Sequence, residues 1–216
     1  MGTRARSTAG TAHPTAVTSP EELREILGPP SERAATKVRD RLARIQAEWI
    51  AASPLCLVST SSAAGRCDVS PKGDPEGAVL VIDETTIAVP DRPGNRRADG
   101  YLNVLENPHV GLIFLVPGRV DTLRVNGSAR VLRDAPYFDD LTVRGHRPAL
   151  ALEVRVEEVF FHCGKAFLRS MVWDPATWNP GALPSRARIA QLLELSSGPL
   201  EVLEASYGPS YAENLY

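Results

Sequence analysis

The chain has 216 residues, 43% of them hydrophobic, and 24 basic against 26 acidic side chains give it a net charge of −2. That apolar content excludes a disordered chain, and the balanced charge argues against a nucleic-acid binder, which carries a basic excess. No apolar run is long enough to span a bilayer, and Arg4 and Arg6 are not followed by the apolar segment of a secretory signal.

The length suits one domain of moderate size with an appended segment or two. Residues 1–17 are small, polar and proline-containing, the composition of a disordered tail. Residues 18–53 read as helices that cover a sheet or a partner subunit. Ser19 caps the first, Pro20 suits its first position, Glu22 completes a capping box, and Gly28 stops it. Ser31 caps a longer helix whose apolar face is Val38, Leu42, Ile45 and Trp49, ending at Pro54.

From residue 54 to 162 the periodicity is strand-like. Leu55–Thr60 and Arg66–Ser70 form a hairpin around a small-residue turn. Ala78–Ile82 and Thr86–Val89 form another around Asp83-Glu84. A helix is predicted from Asn95 to Glu106, with Leu102 and Leu105 inward and Asn107-Pro108 as its stop. Val110–Val116 is the most apolar strand. Thr122–Leu132 is a long strand with a bulge or bend expected at Asn126-Gly127. A short helix at Ala135–Val143 precedes the last strand, Leu150–Phe161, which has one wet side. Residues 163–216 are a helical and irregular extension. Six or seven mostly antiparallel strands can avoid exposed edges by closing into a small barrel, so the expected class is mainly β with peripheral helices.

Three cysteines, Cys56, Cys67 and Cys163, are too few and too scattered for a disulfide framework or a zinc site. They read as small buried residues of a protein in a reducing cytoplasm. No metal site and no Ser-His-Asp or Cys-His arrangement is expected.

The chemistry concentrates in Asp91-Arg92-Pro93-Gly94-Asn95-Arg96-Arg97, between a strand and a helix. Arginine presents a planar fork that matches phosphate oxygens in pairs, and a helix start adds unpaired N–H groups. The run reads either as a phosphate site or as a solvated turn whose arginines pair with surface carboxylates.

In order, the segments DVSPKGDPEG, PDRPGNRRADGYLNVLENPHVGLIFLVPG, TLRVNGSARV and HCGKAFLRSMVWDP resemble the pyridoxamine 5′-phosphate oxidase-like, FMN-binding split-barrel superfamily. They match in particular a branch of bacterial FMN-dependent proteins, over roughly residues 20 to 190. The resemblance implies a homodimer of split barrels with FMN at the interface. It places Asn95, Arg96 and Arg97 where the oxidases hold the FMN phosphate with a Ser-Arg-Lys triplet, and Asp91 and Arg92 near the ribityl chain or ring. Asp91 alternatively starts the turn or caps the helix. An Arg and a Lys that the oxidases carry on a preceding strand have no counterpart in Ala78–Ile82. Lys72 is the nearby replacement, either a cation near the phosphate or flavin or a solvated loop lysine. Ser70 offers a hydroxyl and Gly73 a close backbone approach.

Lys165 and Arg169 share one helical face, and Trp173 follows one turn later. In a dimer that face closes the partner's pocket with Trp173 stacked on the ring; otherwise Trp173 is core and the two cations are solvated. The oxidases' C-terminal pattern for substrate phosphate is missing. The expected function is therefore FMN-dependent oxidation or reduction of a small organic substrate, by hydride transfer at flavin N5, with no side chain assigned as catalyst. The alternatives are a non-enzymatic flavin or electron-shuttle protein, or a deazaflavin or haem user, the last needing His109, His146 or His162 as axial ligand.

Overall fold

The computed structural model describes residues 15–75, 77, 79–194, 198–213 and 215–216. Most of the tail expected at 1–17 therefore lies outside the described residues. The chain divides into two units, Met1–Lys37 and Val38–Tyr216.

The first unit carries α1 (Pro20–Leu27) and α2 (Glu32–Thr36). Ser19 accepts from the Glu22 N–H as expected, and Gly28 has φ +73°. The Glu22 carboxylate reaches one residue further back than a capping box requires, taking the Thr18 N–H at 3.0 Å. The long helix expected from Ser31 is not formed. It breaks after Thr36 and resumes as α3 (Arg44–Ala51). Between them Arg39 makes an antiparallel bridge to Val159, and the Leu42 N–H donates to Glu84 O at 2.7 Å. A strand bridge to Val159 and a bond to the turn at Glu84 thus replace helical hydrogen bonds over this stretch. Of the expected stripe, Leu42 and Trp49 are buried while Val38 and Ile45 are exposed; Ile50 and Gln46 complete the buried face.

The second unit is built on one seven-stranded antiparallel sheet, mainly β with peripheral helices, as a split barrel requires. The strands are β1 (Leu55–Ser61), β2 (Cys67–Gly73), β3 (Leu80–Asp83), β4 (Thr86–Pro90), β5 (His109–Leu115), β6 (Thr122–Leu132) and β7 (Ala151–His162), in the order β2-β1-β5-β6-β7-β4-β3. Alternation buries Cys56 and Val58 of β1, Val110, Leu112 and Phe114 of β5, and Leu123 and Val125 of β6 in one core with Trp49 and Ile50. On the other face Ala88 and Ala151 pack with Phe138 and Leu141. Of the helix expected at Ala135–Val143, only a 3₁₀ turn at Asp139–Leu141 forms.

The irregularity expected at Asn126-Gly127 is present, and its extra residue lies on the facing strand. Asn126 pairs with Glu158 and Gly127 with Val156, which leaves Glu157 unpaired on β7. That insertion explains the buried sequence Val154, Val156, Val159, with two exposed glutamates between the last two. Arg155 O presses so close to Gly127 that a Cβ there would lie 1.9 Å from it.

α4 spans Asp99–Glu106, four residues shorter than expected. Arg96 and Ala98 hold φ of +60° and +57°, so the chain cannot be helical there. The inward residue is Val104; Leu102 and Leu105 are 56% and 74% exposed, the reverse of expectation. Cys67 and Cys163 are also exposed, and only Cys56 fits the buried reading. No described helix is long and apolar enough to cross a membrane.

Candidate functional site

The Asp91–Ala98 loop joins β4 to α4, which packs against β1, β6 and β2. Between this loop, β2 and the His146–Leu150 segment lies a cleft of about 880 Å³. Ser70, Lys72, Asp91, Arg92, Asn95, Arg96 and Arg97 all line it, so seven of the residues singled out in the sequence converge. Ser70 to Gly73 belongs to an edge strand rather than a loop, where Pro71 is tolerated because β2 pairs on one side only. Gly73 lines a second cavity instead, and a Cβ there would meet only ordinary contacts at 3.6–3.7 Å.

Most of the cleft's cations are already paired. Lys72 Nζ lies 3.8 Å from Asp91 Oδ1 and 5.1 Å from the Tyr101 ring centroid. The Tyr101 hydroxyl donates to the same Asp91 oxygen at 2.8 Å. Burial, and then this bond, push the Tyr101 phenol well above its ordinary value. Asp91 therefore neither starts a turn nor caps a helix: its side chain ties the loop to α4 and β2, and its N–H donates to Leu150 O at 2.8 Å. Arg92 Nε donates to Asp74, and Nη2 donates to Leu141 O at 2.9 Å. Its Nη1 is buried and has no hydrogen-bond partner among the described residues. Arg97 Nε donates to Asp99 Oδ2 at 2.7 Å, and the Arg97 N–H donates to Asn95 Oδ1 at 3.0 Å. Arg147 is held by Asp134 and Asp139, both at 2.7 Å.

Arg96 is different. It enters no salt bridge among the described residues and is exposed at the cleft. Its left-handed backbone costs about 1 kcal/mol or more in a non-glycine residue. The phosphate-like features of the run therefore resolve into one uncommitted guanidinium (Arg96), one exposed but paired one (Arg97) and one largely buried one (Arg92). The first turn of α4 adds N–H groups with no intrahelical acceptor. The volume suits a cofactor-sized ligand, since such pockets run from about 300 to 1,000 Å³. This donor-rich rim fits a phosphate, and the interior of the cleft, with Val58 and Leu152 beside Tyr101, fits a ring system.

Lys165, Arg169 and Trp173 do not reach this cleft. Lys165 and Arg169 lie on α5 (Lys165–Ser170). Trp173 Nε1 donates to Arg119 O at 2.8 Å, and its ring stacks on Phe167 at 6.0 Å. Tyr101 and Asp74, by contrast, belong to the site or its wall and were not singled out in the sequence; His146, named there only as an axial haem ligand, lines the cleft with them. Only the fold brings them there, across 10, 18 and 54 residues from Asp91 or Arg92.

The family model described as pyridoxamine 5′-phosphate oxidase matches residues 43–163. Among curated proteins none matches. HupZ of Group A Streptococcus is 18% identical, with 56% of this chain and 93% of that one covered at a TM-score of 0.46. A Lactobacillus delbrueckii protein described as a candidate pyridoxamine 5′-phosphate oxidase is 23% identical over 58% and 99%, at 0.45. An FMN-binding protein from Syntrophomonas wolfei is 14% identical over 56% and 88%, at 0.43. The matched segment is more than half of the sequence and runs from α3 through β7, taking in both the cleft strands and the arginine-rich loop, and on that ground the chain belongs to the pyridoxamine 5′-phosphate oxidase family.

Proposed function

We propose that the protein binds FMN in the 880 Å³ cleft and uses it to oxidise or reduce a small organic molecule. The observation that carries this reading is Arg96, an exposed guanidinium with no carboxylate partner among the described residues, on the rim of a cleft whose other cations are neutralised. When bound, FMN would supply hydride transfer at flavin N5. Arg96 and the Asn95 amide hold the phosphate, supported by Arg97, which keeps Asp99 as a second partner. Ser70 offers a hydroxyl from β2. Lys72, bound to Asp91, contributes a fixed cation–carboxylate pair to the wall rather than a bare charge. Asp91 and Tyr101 hold the loop in the shape that presents Arg96. A second copy of the chain completes the pocket, with Lys165, Arg169 and Trp173 as its closing face.

A haem reading has one observation in its favour: of His109, His146 and His162, only His146 lines the cleft. Its ring, however, already stacks on Tyr216 at 5.5 Å. The visible spectrum of the purified protein, and of the small molecule released by acid, decides between them. A flavin spectrum bleached by a reducing substrate supports an oxidoreductase. A flavin that no substrate reduces supports a shuttle, and a Soret band or a colourless protein that ignores added FMN overturns the flavin reading.

A further inference from the structure

A second cavity of about 450 Å³ adjoins the cleft and shares the walls Lys72 and Arg92 with it. Cys56, Val79 and Val89 give it an apolar floor, and Leu215 and Tyr216 close it. Its polar centre is Asp74, whose side chain is 5% exposed. One Asp74 oxygen takes Arg92 Nε and the other takes the hydroxyl of Tyr216. The Tyr216 ring stacks on His146 at 26° and has the guanidinium carbons of Arg92 and Arg144 at 5.9 and 5.7 Å. Arg92 Nη1, buried and without a partner among the described residues, completes the set.

Each of the contacts Tyr216 makes here is made by its side chain. Among the described residues no backbone hydrogen bond anchors Leu215 or Tyr216. A buried carboxylate, a stacking imidazole and two cations over a ring face recognise any aromatic ring that carries a hydroxyl, whether or not it is tethered. We propose that this cavity is a second ligand site for a small hydroxyl-bearing aromatic molecule, and that Tyr216 is its tethered plug. The tether gives the plug a high effective concentration, so a free ligand takes the Asp74 oxygen only by displacing it. A phenol that does so donates from its hydroxyl to Asp74 in place of Tyr216.

The probe is p-cresol, the tyrosine side chain as a free molecule, titrated calorimetrically into the wild type, Tyr216→Ala and Tyr216→Ala/His146→Ala, with toluene as the hydroxyl-free control. Tyr216→Ala is expected to bind p-cresol about tenfold or more tighter than the wild type. Toluene is expected to bind that variant about tenfold or more weaker than p-cresol, the ratio a hydrogen bond to a charged group supports. Loss of His146 weakens p-cresol binding again. Tyr216→Phe, which keeps the ring and drops only the hydroxyl, falls between wild type and Tyr216→Ala and guards against a folding artefact. Equal p-cresol affinity in wild type and Tyr216→Ala, or equal affinity of Tyr216→Ala for toluene and p-cresol, overturns the proposal. FMN affinity is measured in parallel: variants that take FMN but ignore p-cresol refute the second site alone, and protein that takes p-cresol but ignores FMN refutes the cofactor reading alone.

Discussion

Tyr101→Phe isolates the bond that ties the arginine-rich loop to α4. The substitution keeps the ring, its packing and the Lys72 cation 5.1 Å from its centroid, and removes only the hydroxyl that donates to Asp91 at 2.8 Å. A hydrogen bond to a charged group contributes about 1.5–3 kcal/mol. Asp91 keeps Lys72 at 3.8 Å and its side chain is 31% exposed, so water recovers part of the loss and about 1–2 kcal/mol remains. For a chain of this size that lowers Tm by roughly 2–8 °C. Asp91→Asn, Tyr101→Phe and the double variant form a cycle whose coupling should be about 1 kcal/mol. The pH dependence has a definite sign. The folded phenol is held above its ordinary value, first by burial and then by Asp91, so the bond's contribution is complete below about pH 10 and fades as pH rises toward the folded value. Thermal unfolding of the four proteins from pH 7 to 11 measures both. A coupling near zero, or a wild-type advantage over Tyr101→Phe that grows between pH 10 and 11, would refute the reasoning.

Three further outcomes follow from the fold. Gly127→Ala should cost about 3 kcal/mol or more, or abolish folding, because its Cβ would sit 1.9 Å from the Arg155 carbonyl oxygen, a backbone atom that cannot step aside; an urea midpoint close to that of the wild type would show that the bulge relaxes. In the native protein Cys67 and Cys163 should react with a thiol reagent while Cys56, whose thiol burial pushes up to about 12, reacts only on unfolding; mass spectrometry of the labelled native protein checks this, and early modification of Cys56 contradicts it. Leu112→Ala, at a fully buried position of β5, should cost about 2–5 kcal/mol without changing the FMN:protein stoichiometry of the remaining folded protein.

The strands were legible because burial on one side writes itself into the sequence as alternation. β5 is the plainest case, with Val110, Leu112 and Phe114 all buried. Gly127 was legible as a backbone constraint, although the extra residue it accommodates, Glu157, sits on the opposite strand. What failed did so where tertiary hydrogen bonds overrode local preference. The stripe from Val38 to Trp49 has helical spacing, yet Arg39 and Leu42 spend their backbone groups on Val159 and Glu84. Leu102 and Leu105 read as an inner face, but α4 begins only after two left-handed residues, which sets its rotation and turns Val104 inward. At the site, the arginine run was visible as charge, while the pairing that separates Arg96 from Arg92 and Arg97 was not. It depends on Asp74 and Asp99 and on a loop conformation that the sequence does not announce.

The most direct test is a fluorescence titration of cofactor-stripped protein with FMN, comparing the wild type with Arg96→Ala, Arg97→Ala and the double variant. Removing one uncommitted guanidinium from a phosphate costs about 1.5–3 kcal/mol, so Arg96→Ala should weaken FMN about ten- to a hundredfold. Arg97→Ala should weaken it less, since Arg97 gives up its bond to Asp99 when it turns to the phosphate. Riboflavin, which lacks the phosphate, should bind all four proteins alike. FMN affinity that is unchanged in the double variant, or that is no better than riboflavin affinity in the wild type, would contradict the assignment of this cleft.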